Sequence, residues 1–291
     1  MTNRFSLFLM LLVFSVIQVF FISCGKTDPD SIPSYIAVDT SFLQSQSALT
    51  GSSSHRIVDV WLYADEQLIG AFETPVMIPV LEEGNVKLRF KPGIMANGIG
   101  ESRQAYSFLS PYEITARLTR DSVVIINPVY TYKDNVQMVW IEDFEDLSAN
   151  LKKSAKSDTS VLITTSPGEV FEGSASGKIV LTKEPSRQFF EVLSDTSYVL
   201  PQDGSTIVLE MNYKTETVFT VGVFVNTSTT MTQVSVLNLN ATDTWKKVYI
   251  YLTTAVNTNS SALDYSIFFG GFIDEEASQS VVYLDNLKLL F

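Results

Sequence analysis

The stretch TIVLEMNYKTE (Thr206–Glu216) decides the fold class. Its residues alternate: Ile207, Leu209, Met211 and Tyr213 share one face of an extended chain, against Val208, Glu210, Asn212 and Lys214 on the other. A strand turns successive side chains to opposite faces, whereas a helix returns to one face every 3.6 residues, so this stretch reads as a strand. The pattern continues in KKVYIYLTT (246–254), LDYSIFFGGF (263–272) and SVVYLDNLKLLF (280–291). VDVWLYADEQLIGAF (58–72) reads as two strands around a turn at Asp65-Glu66-Gln67. Gly, Pro, Asn, Asp and Ser separate these runs, as turns require. EDLSANLKKSAKS (145–157) is the best helical candidate and reads equally as a loop. The expectation is an all-β chain of two β-sandwich domains, 34–133 and 134–291. The boundary falls where INPVYTYKDN (126–135) gives way to VQMVWIEDFED (136–146).

Composition narrows the chemistry. The 291 residues carry a formal net charge of −12, with one Cys and one His. Residues 1–23 hold one Arg and no acid, so the remainder is more acidic still, a surface that repels nucleic acid and anionic lipid. One Cys allows no internal disulfide, and one His excludes most transition-metal sites. A Ser/His/Asp triad would need His55, which stands in the small-residue run LTGSSSHR (49–56) and reads as part of a flexible, solvated loop.

The only Cys, Cys24, follows an apolar run of 18 residues, Phe5–Ile22, and the small Ser23, with Arg4 ahead of the run. This is the layout of a signal peptide, residues 1–23; a transmembrane anchor is the alternative, since the run just reaches across a bilayer. FFISCGK (20–26) resembles the lipobox of bacterial lipoproteins, in which the Cys becomes the lipidated first residue; Phe21 departs from that pattern. The resemblance implies a lipid on Cys24 and a polar tether over 24–33. Lys26, Asp28 and Asp30 resemble the charged signals of Bacteroidota surface lipoproteins, which implies an outer-membrane protein facing the cell exterior.

In the first domain, residues 60–93 resemble small β modules of the PEGA type through Asp65, Gly70, Pro75, Gly84 and Gly93, which implies a spacer or interaction role. The segment KPGIMANGIGESRQAYSFLSPY (91–112) is longer than a hairpin needs. It reads either as a contact loop presenting Asn97, Arg103, Tyr106 and Tyr112, or as a wrap over a sandwich edge that buries its aromatics.

In the second domain, WIEDFED (140–146), FEGSASGKIVL (171–181), TDTWKKVYIYL (242–252) and VVYLDNLKL (281–289) resemble, in this order, the galactose-binding-like jelly roll of many carbohydrate-binding modules. The resemblance implies a structural calcium, with Glu145 and Asp285 as carboxylate ligands, carbonyls from around Gly173 and Ser176, and Asp143 in reserve. Mixed carboxylate and carbonyl donors suit Ca²⁺. Nothing points to any other cofactor. Glycan recognition needs an aromatic platform beside hydrogen-bonding groups. Trp140 and Trp245 start strands and read as core, which leaves the loop edge with Tyr198, Asp195 and Gln202, together with Arg187 and Phe189, as the expected ligand site. A glycosidase needs two facing carboxylates, yet Glu142 and Glu145 point to opposite faces of a strand. The sequence thus points to a non-catalytic lipoprotein that binds glycan through its second domain. The alternatives are an accessory lipoprotein that contacts an envelope protein, and a hydrolase.

Overall fold

The computed structural model describes residues 32–291; the apolar run, Cys24 and most of the tether lie outside the described residues. The N-terminal half holds β1 (Ser34–Val38), β2 (Phe42–Leu43), β3 (Asp59–Ala64), β4 (Gln67–Glu73), β5 (Val76–Val80), β6 (Gly84–Met95), β7 (Arg103–Ala105), β8 (Tyr112–Leu118), β9 (Val123–Ile125) and β10 (Val129–Tyr130). The C-terminal half holds β11 (Met138–Glu142), β12 (Leu151–Lys153), β13 (Leu162–Thr164), β14 (Ser176–Thr182), β15 (Phe189–Ser194) and β16 (Val208–Thr215). It continues through β17 (Phe219–Asn226), β18 (Met231–Leu239), β19 (Thr242–Tyr251), β20 (Asp264–Phe272) and β21 (Gln279–Leu290). Two short helices, α1 (Ser47–Thr50) and α2 (Thr253–Asn257), complete the described chain. EDLSANLKKSAKS forms turns and β12, so the loop alternative describes it better than the helical one.

The all-β expectation holds, and the alternation explains the layers. In the C-terminal jelly roll one sheet runs β13-β14-β21-β16-β19, with β11 beside β21, and the other runs β12-β15-β20-β17-β18. Ile179, Leu209, Met211 and Leu284 of the first sheet share a core with Val192, Val221, Ile267 and Phe269 of the second. In the N-terminal sandwich, Ile36, Val38 and Ile78 of the β5-β1-β9 sheet meet Leu62, Leu88 and Phe90 of the sheet containing β3 and β6.

The polar face of β16 meets protein rather than water. Glu210 and Asn212 are buried because the N-terminal sandwich lies over them, and Val208, Tyr249 and Leu290 join that sandwich's core. Glu210 accepts hydrogen bonds from the hydroxyls of Tyr106 at 2.6 Å and Tyr132 at 3.0 Å, and its Oε2 lies 3.1 Å from Lys247 Nζ. Lys288, fully buried, donates to the Ser52 carbonyl at 2.6 Å and to the Tyr132 hydroxyl at 3.2 Å. Burial alone would raise the Glu210 carboxyl, but the ammonium groups of Lys247 and Lys288 hold it below its ordinary range. Burial pushes Lys288 itself down to about 8.

The 91–112 segment makes this seam. Tyr106 and Phe108 are buried, so the edge-wrapping reading describes them; Ile99 stays exposed. Asn97, at φ +54°, donates its backbone N–H to the Tyr249 carbonyl and accepts the Tyr251 N–H on Oδ1, both at 2.8 Å, which extends β19 by one rung. Arg103 pairs inside its own sandwich with Asp59 and Glu73, and Tyr112 lies against Phe90. The run around His55 is also corrected: it crosses the seam instead of standing free in solvent. Ser54 donates to Asn212 Oδ1 at 3.0 Å, the Arg56 N–H donates to the Tyr249 hydroxyl at 2.9 Å, and burial lowers the His55 pKa, with Lys247 adding to the shift.

Candidate functional site

The outward face of the β12-β15-β20-β17-β18 sheet carries a groove of about 550 Å³. Three cross-strand rows build it. The floor is the row Glu191, Gly270, Thr220 and Asn238, aligned by pairing of β15 with β20, β20 with β17 and β17 with β18. Gly270 supplies no side chain between Glu191 and Thr220, so a gap opens over two strand spacings, about 9.5 Å between the flanking backbones. On one side stands the row of Phe189 and Phe272, with ring centroids 4.7 Å apart and Phe272 66% exposed. On the other side Leu193, Phe268 and Phe224 form a separate apolar cluster. The Phe268 ring lies over Gly222, where a Cβ would come within 2.6 Å of it, so only glycine fits there.

Polar groups converge on the floor. Thr220 donates to Asn238 Oδ1 at 2.7 Å, which turns the Asn238 amide N–H groups outward. Glu191 is only 3% exposed, and its backbone N–H bonds the Ser157 hydroxyl. Among the described residues nothing donates to its carboxylate, which opens into the groove. Asp274 and Glu275 line the same groove; among the described residues no Lys or Arg lines it, and the Lys183 ammonium donates to the Glu275 carbonyl. The Glu191 oxygens open into the groove, where they can accept hydrogen bonds from a bound molecule.

The residues expected at a sugar site divide. Phe189 lines the groove, and Arg187 stands exposed two residues before it. Tyr198, Asp195 and Gln202 lie past the far end of β15, about 20 Å along the strand from Phe189. There Tyr198 stacks on Trp140 at 6.0 Å, and burial raises its hydroxyl pKa. Gln202 donates to the Tyr265 hydroxyl at 2.9 Å, and the Asp195 carbonyl accepts Lys152 at 2.8 Å. These three brace a loop. Trp140 is core, as expected, while Trp245 lies half-buried against Phe171 and Tyr283. Glu191, Thr220, Asn238 and Phe272, which line the groove beside Phe189, did not stand out in the sequence. The signal available was the pair Gly270-Gly271 inside a strand, which marks a close approach or a hollow.

The residues expected to hold calcium do not fit the ion. Glu145 accepts the backbone N–H groups of Ser174 at 2.8 Å and Ala175 at 3.2 Å. Gly173, at φ +67°, leaves no room for a Cβ beside that carboxylate. Asp285 accepts the Ser176 hydroxyl and, at 2.7 Å, the Asn286 N–H; burial pushes it up to about 7. Asp143 accepts the Glu145 N–H at 3.2 Å. Amide hydrogens aimed at these oxygens put positive dipole ends where a cation would sit. Among the described residues no group of three or more Asp, Glu, His or Cys side chains could hold a metal.

No family model matches this sequence, and no curated protein matches it. Among solved structures it is similar to the xylan-binding domain from CBM 22, at 14% identity over 54% of this chain and 96% of that one, TM-score 0.37. It is also similar to TmCBM61 in complex with β-1,4-galactotriose, at 12% identity over 48% of this chain and 85% of that one, TM-score 0.30. A third is the enzymatically active domain of bacteriophage CBA120 tailspike protein 4, at 11% identity over 51% of this chain and 20% of that one, TM-score 0.39.

Proposed function

We propose that this chain binds a neutral glycan in the groove of the C-terminal jelly roll and does not turn it over. The observation that carries this reading is the floor row Glu191-Gly270-Thr220-Asn238 set between the Phe189–Phe272 row and the Phe268 ring. A sugar ring has apolar faces and a hydroxyl rim; Phe272 and Phe189 offer a surface for the former, Glu191 and Asn238 an acceptor and donors for the latter. The carboxylates of Glu191, Asp274 and Glu275 outnumber the single ammonium beside them, Lys183 on the Glu275 carbonyl, which favours a neutral glycan over a uronic or sulfated one. A lipid on Cys24 would hold this binding module on the outer membrane, facing out. That part of the reading rests on the lipobox-like FFISCGK.

A glycan array with the chain from Gly25 onward tests the groove. The expected result is binding to a neutral glycan that is lost in Glu191→Ala and Phe272→Ala and kept in Tyr198→Phe and Arg187→Ala. Binding that survives both groove substitutions overturns the site, and new reducing ends from the bound glycan would make the protein a hydrolase. Mass spectrometry of the N-terminal peptide tests the lipid on Cys24.

A further inference from the structure

The small sheet β5-β1-β9 turns two cross-strand rows away from its core: Met77, Ala37 and Ile125, and Pro79, Tyr35 and Val123. None of the six is charged, and Met77, Val123 and Ile125 are 57%, 50% and 66% exposed. The same two chain segments continue into the paired β2 and β10, where Phe42 and Val129 also face out, 50% and 40% exposed. Asp39, exposed, and Asn127 stand between the two rows and the Phe42–Val129 pair. A sheet covered on one side only should show water a polar face, as alternation demands, so the two apolar rows call for a cover. The patch stays on the N-terminal sandwich, away from the glycan groove.

We infer that this face lies against the lipid surface of the membrane that anchors the chain. Chain connectivity selects that occupant. β1 is the first described strand, and Cys24 and Ile22 precede Ser34 by ten and twelve residues. Either reading of the N-terminal segment, lipidated Cys or uncleaved apolar anchor, therefore puts the bilayer within about 40 Å of the start of this sheet at full stretch. The two rows carry no carboxylate, so contact through them buries no charge of this acidic molecule. Tyr35, with an apolar ring and a polar tip, belongs at such a boundary.

The inference rests on the membrane attachment proposed above, and one experiment separates the two. The full chain is reconstituted at low density in phosphatidylcholine vesicles with brominated acyl chains, as wild type, Ile125→Trp and Leu263→Trp, the last in the jelly roll. The bromines are expected to quench the emission added by Ile125→Trp several-fold more than that added by Leu263→Trp. A chain that fails to associate with vesicles overturns the anchor and the face together. Association with equal or no quenching overturns the face alone. Dimerisation of the chain from Gly25, abolished by Ile125→Lys, would assign the face to a second copy and overturn the inference as well.

Discussion

Two buried glutamates on the outer faces of the two jelly-roll sheets have opposite fates. Glu210 is covered by the N-terminal sandwich and surrounded by Tyr106, Tyr132, Lys247 and Lys288. Glu191, almost as inaccessible at 3% exposed, has no protein donor at its carboxylate among the described residues and opens to a groove. The same residue type at similar burial is structural where the fold completes its shell and available where the fold leaves the shell open. The partner count, more than the burial, separates a fastening from a site.

The sharpest break of this contrast is Glu210→Ala. It leaves Lys247 and Lys288 buried without their counter-charge and should cost about 3–5 kcal/mol of stability by urea unfolding. Glu191→Ala should cost less than about 0.5 kcal/mol by the same measurement. Equal losses would erase the distinction. Next comes pH. Lys288 is depressed to about 8 from an ordinary 10.5, so between those values the unfolded chain holds more protons than the folded one. Stability should therefore rise with pH, by about 2–3 kcal/mol from pH 7.5 to 10 relative to Lys288→Met, which has nothing to titrate there. A flat difference between the two chains would mean that Lys288 is not buried as described.

Glu191→Ala should weaken glycan binding by about 1.5–3 kcal/mol, the range for a hydrogen bond to a charged group, read by calorimetry on whichever glycan the array returns. Asn97→Gly keeps the positive φ but deletes the acceptor for the Tyr251 N–H. The expected cost is about 1 kcal/mol, with faster hydrogen exchange at Tyr251 as the local readout. The smallest effect concerns calcium. Because amide and hydroxyl donors already satisfy Glu145 and Asp285, millimolar calcium or a chelator should leave the melting temperature unchanged within about 1 °C. A clear rise with calcium would refute the hydrogen-bonded account of that corner.

How much of this was legible from the chain depends on how local the cause is. Period-two alternation at 206–216 is local and yields a strand with the inward face as observed. At 280–291 it holds through Leu284. An irregularity at Asp285-Asn286, with Asn286 at φ +51°, then moves the inward set to Leu287 and Leu289, which alternation alone does not show. The role of Glu210 was not legible, because alternation puts it on the outer face and only the docking of another sandwich buries it. Glu191 stands inside FFEVL, where a lone acid reads as an edge residue. Its significance comes from register, which brings Gly270, Thr220 and Asn238, up to 79 residues away in sequence, into one row. The expected ligand loop was chosen for aromatic and polar content, and content does not say that Tyr198 stacks on Trp140 or that Gln202 bonds Tyr265, contacts that arise only from the fold. The calcium set came from resemblance; the carboxylates are indeed near the glycine turn, but as acceptors for its amides.

The one-rung splice between Asn97 and β19 has a mechanical consequence. A polymer caught in the groove would tug on the jelly roll, while the proposed lipid on Cys24 would hold the chain from the β1 side, in the other sandwich. The load must cross the seam, and there it meets backbone pairing and a knot of charges in place of a swivel. Such a link passes tension without reorienting. A pull on the groove would then reach the N-terminal sandwich undiminished, and the angle at which the groove meets its catch would follow from how that sandwich is seated on its support.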